Sequence, residues 1–137
     1  MIRAGAIAVL VFAFGGASAG AMTKEEYKAA KGPIAAAYQA ERQKCGARYG
    51  NAVDLCVARA HGVRDVAKAE LEAAYKPSPR ANYAAAIARA RSAYAIAKQE
   101  CDDQSGPAKK ACTKDANAAL GDAKAEAKLA MLGSGTP

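Results

Sequence analysis

Apolar and small residues recur in steps of four and three along much of this chain. From Tyr83 the steps run through Ile87, Ala90, Tyr94 and Ala97 to Cys101, one face of a helix in a coiled-coil-like stripe. A second stripe follows at Cys112, Ala116, Ala119, Ala123 and Ala130, and the large apolar residues of that stretch are few: Leu120, Leu129, Met131 and Leu132. Ser78 before Pro79 supplies an N-cap and a first-turn proline, so a helix is predicted from there to about Asp102, and another from near Pro107 to about Met131. Upstream, Thr23-Lys-Glu-Glu26 reads as a capping box with Met22 and Tyr27 at the positions of a hydrophobic staple. That helix runs to about Ala47, and Gly32-Pro33 predicts a kink or a frayed first segment, because proline removes a donor and crowds the preceding turn. A turn at Arg48 to Gly50 leads into a further helix, Asn51 to Tyr75, and Lys76-Pro-Ser-Pro-Arg80 breaks the pattern.

The pattern is duplicated. A shift of 56 residues brings Tyr27 onto Tyr83, Tyr38 onto Tyr94, Cys45 onto Cys101 and Cys56 onto Cys112 without a gap. Such a register marks an internal repeat. Each copy is helix, turn, helix, with Cys-x10-Cys spanning the turn and a glycine midway, Gly50 and Gly106.

All four cysteines lie in these two segments, and four cysteines allow three pairings. Pairing Cys45 with Cys56 and Cys101 with Cys112 sets each pair across its own turn, where neighbouring alanines permit the close approach a disulfide needs. Zinc sites favour shorter spacings and a histidine set, and thiol redox centres favour Cys-x-x-Cys; neither pattern is present. The fold class expected is all-α: two duplicated antiparallel hairpins, each stapled by a disulfide. They form a loose four-helix bundle, or semi-independent units joined by the proline linker.

Residues 1–21 carry one charge, Arg3, then an apolar run from Ala4 to Phe14, then Ala17-Ser18-Ala19 and Ala19-Gly20-Ala21. This is the layout of a secretory signal peptide, and its apolar core is short of the about 20 residues needed to span a bilayer. The organisation read is a leader over 1–21, hairpins over 22–76 and 77–132, and a disordered tail over 133–137. A mature chain starting at Gly20 or Met22 enters an oxidising compartment, the periplasm of a Gram-negative cell or the exterior, with no transmembrane segment left after cleavage.

Losing Arg3 leaves 19 basic against 13 acidic residues, a net +6, and the mature aromatics are six tyrosines. The apolar fraction is mostly alanine, which buries little area, so the core is thin and the disulfides are its staples. The tyrosines are read as filling that core and sealing the seam between hairpins. His61, the only histidine, is replaced by Asn117 in the second copy and reads as a boundary residue. Glu25-Glu26 suits a helix start and Asp102-Asp103 a solvated helix end. No nucleophile, base and orienting acid can be assembled, and no cofactor or metal site is expected. Arg80, Arg89, Arg91 and Lys98 against Glu100 make the third helix basic, which reads first as a solvated face and, as the alternative, as attraction to polyanions such as lipopolysaccharide, anionic lipid or nucleic acid.

Thr23-Lys-Glu-Glu-Tyr-Lys-Ala-Ala, the repeated Tyr-x-x-Ala-x-x-x-x-Cys segments, Gly-Asn-Ala-x-Asp-x-Cys56 and Ala-Lys-Ala-Glu resemble small uncharacterised Ala/Lys-rich exported proteins of Gram-negative bacteria, some labelled TolA-like. The second copy departs at Gly106-Pro107-Ala-Lys-Lys, where the first has Gly50-Asn51-Ala-Val-Asp. The resemblance implies export and helical character and supplies no activity. The functional expectation is a non-enzymatic periplasmic protein with a structural or interaction role in the envelope. Its partner would be an envelope protein or an anionic envelope component rather than a specific nucleic acid; alternatives are a polyanion binder and a chaperone-like binder of unfolded clients.

Overall fold

A computed structural model describes residues 21–135. All of the expected leader except Ala21, and the last two residues of the tail, lie outside them. The described chain is four helices and no strand: α1 (Lys24–Cys45), α2 (Asn51–Tyr75), α3 (Pro79–Asp102) and α4 (Gly106–Gly133). The sequence bounds hold to within a turn, and α4 reaches one residue into the segment read as tail. There the Ser134 hydroxyl donates to the carbonyls of Ala130 and Met131.

Local chemistry sets the helix ends. Thr23 Oγ1 accepts from the Glu26 amide at 3.1 Å, and the Glu26 carboxylate accepts from the Thr23 amide at 2.7 Å, completing the capping box. These bonds hold the Glu26 carboxyl below its usual pKa. Ser78 caps α3 by accepting from the Ala81 amide. The hairpin turns use Gly50 and Gly106 at φ +57° in both copies, a region that favours glycine.

Pro33 neither interrupts α1 nor frays its first segment, as the helix is continuous from Lys24. Pro33 and Ala29 are both exposed, so water can satisfy the carbonyl that the missing N–H leaves free.

Contacts join α1 to α2, α2 to α3 and α3 to α4, and no other pair of helices. The loose bundle is therefore open, a single antiparallel layer in which α1 and α4 form the edges. Its buried residues are few and, apart from Leu71 and Ile87, small: Cys45, Ala60, Gly62, Leu71, Ala85, Ile87, Ala90, Cys101, Ala116 and Ala127. The disulfides are formed as Cys45–Cys56 and Cys101–Cys112, each with Cα atoms 5.5 Å apart. Cys45 and Cys101, at 2% and 1% exposure, are the largest fully buried side chains. At its open end the first hairpin closes by stacking Tyr27 on Tyr75, ring centroids 4.2 Å apart. Tyr27 also donates its hydroxyl to Glu72. The matching pair in the second hairpin, Tyr83 and Met131, lines one cleft.

The two hairpins pack through α2 and α3. Gly62 makes this possible, because Ser92 occupies the space a side chain at residue 62 would need. Asn51 donates to the Gln99 carbonyl at 2.6 Å and to Asp103 at 2.9 Å, and Arg59–Glu100 and Arg89–Glu70 cross the same seam at 3.2 and 2.7 Å. The tyrosines do not seal it as expected from sequence. Tyr27 and Tyr38 bond to α2 within their own hairpin, because their stripe on α1 faces that way, and the seam between hairpins falls to smaller and polar residues.

Candidate functional site

A cluster of polar side chains lies where α1, α2 and α3 run side by side. Tyr38 from α1 faces α2, its hydroxyl 3.3 Å from His61 Nε2. One turn on, the Arg64 guanidinium lies 4.5 Å from the centroid of the Tyr38 ring, a cation–π geometry. Arg64 also pairs with Asp65 at 2.8 Å. That bond holds the Asp65 carboxyl below its ordinary pKa, helped by the charges of His61 and Lys68. His61 and Asp65 continue into a cleft of about 570 Å³ between α2 and α3, whose far wall is Ala88, Arg91, Ser92 and Ala95.

This groove gathers a serine, a histidine and an aspartate, the residue types of a hydrolytic triad. The bonds that would make them one are not formed. Tyr38 takes His61 Nε2, Arg64 takes Asp65, and Ser92 Oγ is directed into the space over Gly62. Activation of a hydroxyl requires that base within hydrogen-bond reach and oriented by its acid. What the arrangement does provide is a hydrogen-bonded, charged surface tying α1 to α2 beside the seam with α3.

The four cysteines chosen from sequence are brought together in the two expected pairs and are all engaged in disulfides. His61 is half-buried, as a boundary residue should be, but nothing in the sequence signals its pairing with Tyr38, 23 positions earlier. Arg89 and Arg91, two apart on α3, separate: Arg89 pairs with Glu70, and Arg91 lines the cleft with His61. Among the described residues no group of His, Cys, Asp and Glu is placed to hold a metal ion, and no helix is long and apolar enough to cross a membrane.

Further clefts follow the helix seams. One between α1 and α2 is floored by Ile34 and Leu71 and edged by Lys31, Lys68 and Glu72. Another, on the opposite side of that hairpin, is apolar around Pro33, Ala37 and Val63. Tyr49, Leu129 and Leu132 are exposed at 88%, 68% and 59%. No protein-family model matches the chain, and no curated protein or solved structure matches it.

Proposed function

We propose that this chain is an exported, non-enzymatic helical module that acts through contact with other components of the cell envelope. The observation that carries the reading is the open layer: four helices in one row offer two broad sides and two free helix edges. Chemistry on a small molecule needs an enclosed site with convergent groups, whereas a stapled layer supplies rigid, extended surface. Two disulfides in so small a core fit an oxidising compartment, the periplasm or the exterior. The leader read over residues 1–21 fits the same destination.

Crosslinking in intact cells, followed by purification under denaturing conditions and mass spectrometry, tests this reading. It is expected to return a reproducible envelope partner and an N-terminus at Gly20 or Met22. Recovery only of cytosolic proteins, with Met1 retained, would overturn it.

A further inference from the structure

On α4 the charges divide cleanly by side. Ala116 and Ala127 are buried and so mark the line that faces α3. At about 100° per residue, Lys110, Lys124 and Lys128 lie about 80° to 120° round the helix on one side of that line. Asp115, Asp122 and Glu126 lie about 80° to 120° round on the other. The structure fixes which side is which. Asp115 shares a cleft with Glu100 of α3, which is the side on which Glu100 meets Arg59. Lys109 reaches Asp102 across the opposite side, at 2.8 Å.

Asp102 belongs to a stripe of α3 that contains Arg80, Arg91 and Lys98, spaced by whole turns to within about 20°. Arg80, Arg91 and Lys98 of α3 and Lys110, Lys124 and Lys128 of α4 therefore share one side of the second hairpin, while Arg89 lies on the other and pairs with Glu70. Arg80, Arg91, Lys98, Lys110, Lys124 and Lys128 are all exposed, and none has an ion-pair partner among the described residues.

The repeat shows that this charge is particular to the second copy. In the first, the corresponding side of α2 carries Asp54, Asp65 and Glu72; in the second, those positions are Lys110, Gly121 and Lys128.

We propose that this side of the second hairpin is a docking surface for an anionic phospholipid membrane, held by electrostatics without insertion. Three features favour that occupant. The surface is one helix layer with nothing packed over it, and its basic stripe on α3 from Arg80 to Lys98 extends about 27 Å, the shape of a plane and not of a pocket. Its charge complements closely spaced headgroup phosphates. Nucleic acid fits less well, because no element projects to enter a groove, and the strongly exposed tyrosine, Tyr49, is in the turn of the other hairpin, leaving this side without a base-stacking platform.

This deepens the proposed interaction role and rests on it, while the two tests fail separately: vesicle binding is read on the purified exported chain, and cellular crosslinks can identify a protein whatever the vesicles show. Flotation with phosphatidylcholine vesicles containing phosphatidylglycerol is expected to show binding at about 20 mM salt that largely disappears at about 150 mM, where the screening length is about 8 Å. Each basic residue near such a surface is worth about fivefold in affinity, so Lys124→Gln/Lys128→Gln is expected to weaken binding about 30-fold. Arg80→Gln/Arg91→Gln should do the same, providing a second reading should either variant lose helicity by circular dichroism. Lys44→Gln/Arg48→Gln removes equal charge elsewhere and should leave binding within about threefold. Equal losses in all three variants, equal binding to pure phosphatidylcholine, or tighter binding to duplex DNA than to the anionic vesicles at the same salt would overturn the proposal.

Discussion

Replacing Gly62 by alanine places a methyl group where α3 already sits. The added Cβ would overlap Ser92 Oγ and stand 3.0 Å from Ser92 Cβ and 3.6 Å from Ser92 Cα. The hydroxyl can escape by rotating to another staggered well. Ser92 Cβ cannot, because it is fixed to the backbone of α3, so the two helices must separate by a few tenths of an ångström along the seam that joins the hairpins. Overpacking of this kind costs about 1–3 kcal/mol. Alanine in place of glycine within a helix contributes about 1 kcal/mol in the other direction. The net expectation is a loss of about 1 kcal/mol, read as a lower urea midpoint with the disulfides intact. Ser92→Gly removes the obstructing atoms, so Gly62→Ala/Ser92→Gly should be less destabilised than the two single changes added together, a favourable coupling of about 1 kcal/mol or more. A Gly62→Ala chain more stable than its parent, with no coupling to residue 92, would show that α2 and α3 do not approach closely there.

Cys45→Ser/Cys56→Ser opens one loop and is expected to cost about 3 kcal/mol, with a similar loss for Cys101→Ser/Cys112→Ser; both are measurable by urea unfolding, and no loss in either would mean that the staples are not part of the core. Glu26, Asp65 and Asp102 are held below their ordinary values, chiefly by bonds to Thr23, Arg64 and Lys109 respectively. Their contribution is therefore present above the ordinary carboxylate range and lost as pH falls through the lowered values. Thermal stability should be flat near neutrality and decline below about pH 4, and a decline beginning above pH 6 would point to another group.

The parts of the fold legible in the sequence are those set by local chemistry. The capping box at Thr23, the Ser78–Pro79 start and the glycine turns depend on residues within a few positions of one another, and so does each disulfide. The seam between hairpins depends on which sides of α2 and α3 meet, and apolar stripes made largely of alanine do not specify that. Gly62 has Ala118 as its counterpart in the repeat, and both look like ordinary small helical residues; only Gly62 has another helix against it. Tyr38 was legible as large and buried but not as the partner of His61 and Arg64, since that cluster exists only through the register of α1 on α2. The divided charge of α4 could have been found from sequence, by comparing the two copies position by position for charge as well as for cysteine and tyrosine.

The same comparison shows how the outer side of α4 differs from the matching side of α2. Gly62 marks the line on α2 that α3 covers, and Leu55, Val66, Ala69 and Ala73 share it at helical spacing; all four are half-buried. Their counterparts on α4 are Ala111, Asp122, Ala125 and Leu129, all exposed. Leu55 becoming Ala111 removes about 2 kcal/mol of apolar burial that a further helix could use, and Val66 becoming Asp122 would put a carboxylate without a partner into the seam. The outer side of α4 thus differs from the covered side of α2 by a lost large side chain and an added carboxylate, while Leu129 stays apolar and 68% exposed. Restoring the inner residues with Ala111→Leu/Asp122→Val is expected to give a chain that associates with rising concentration in sedimentation velocity, as the α1 edge of another copy becomes an acceptable neighbour. If that chain sediments like its parent at every concentration, these two positions do not decide whether the outer side of α4 accepts a neighbour, and the divergence of the repeat would need another cause.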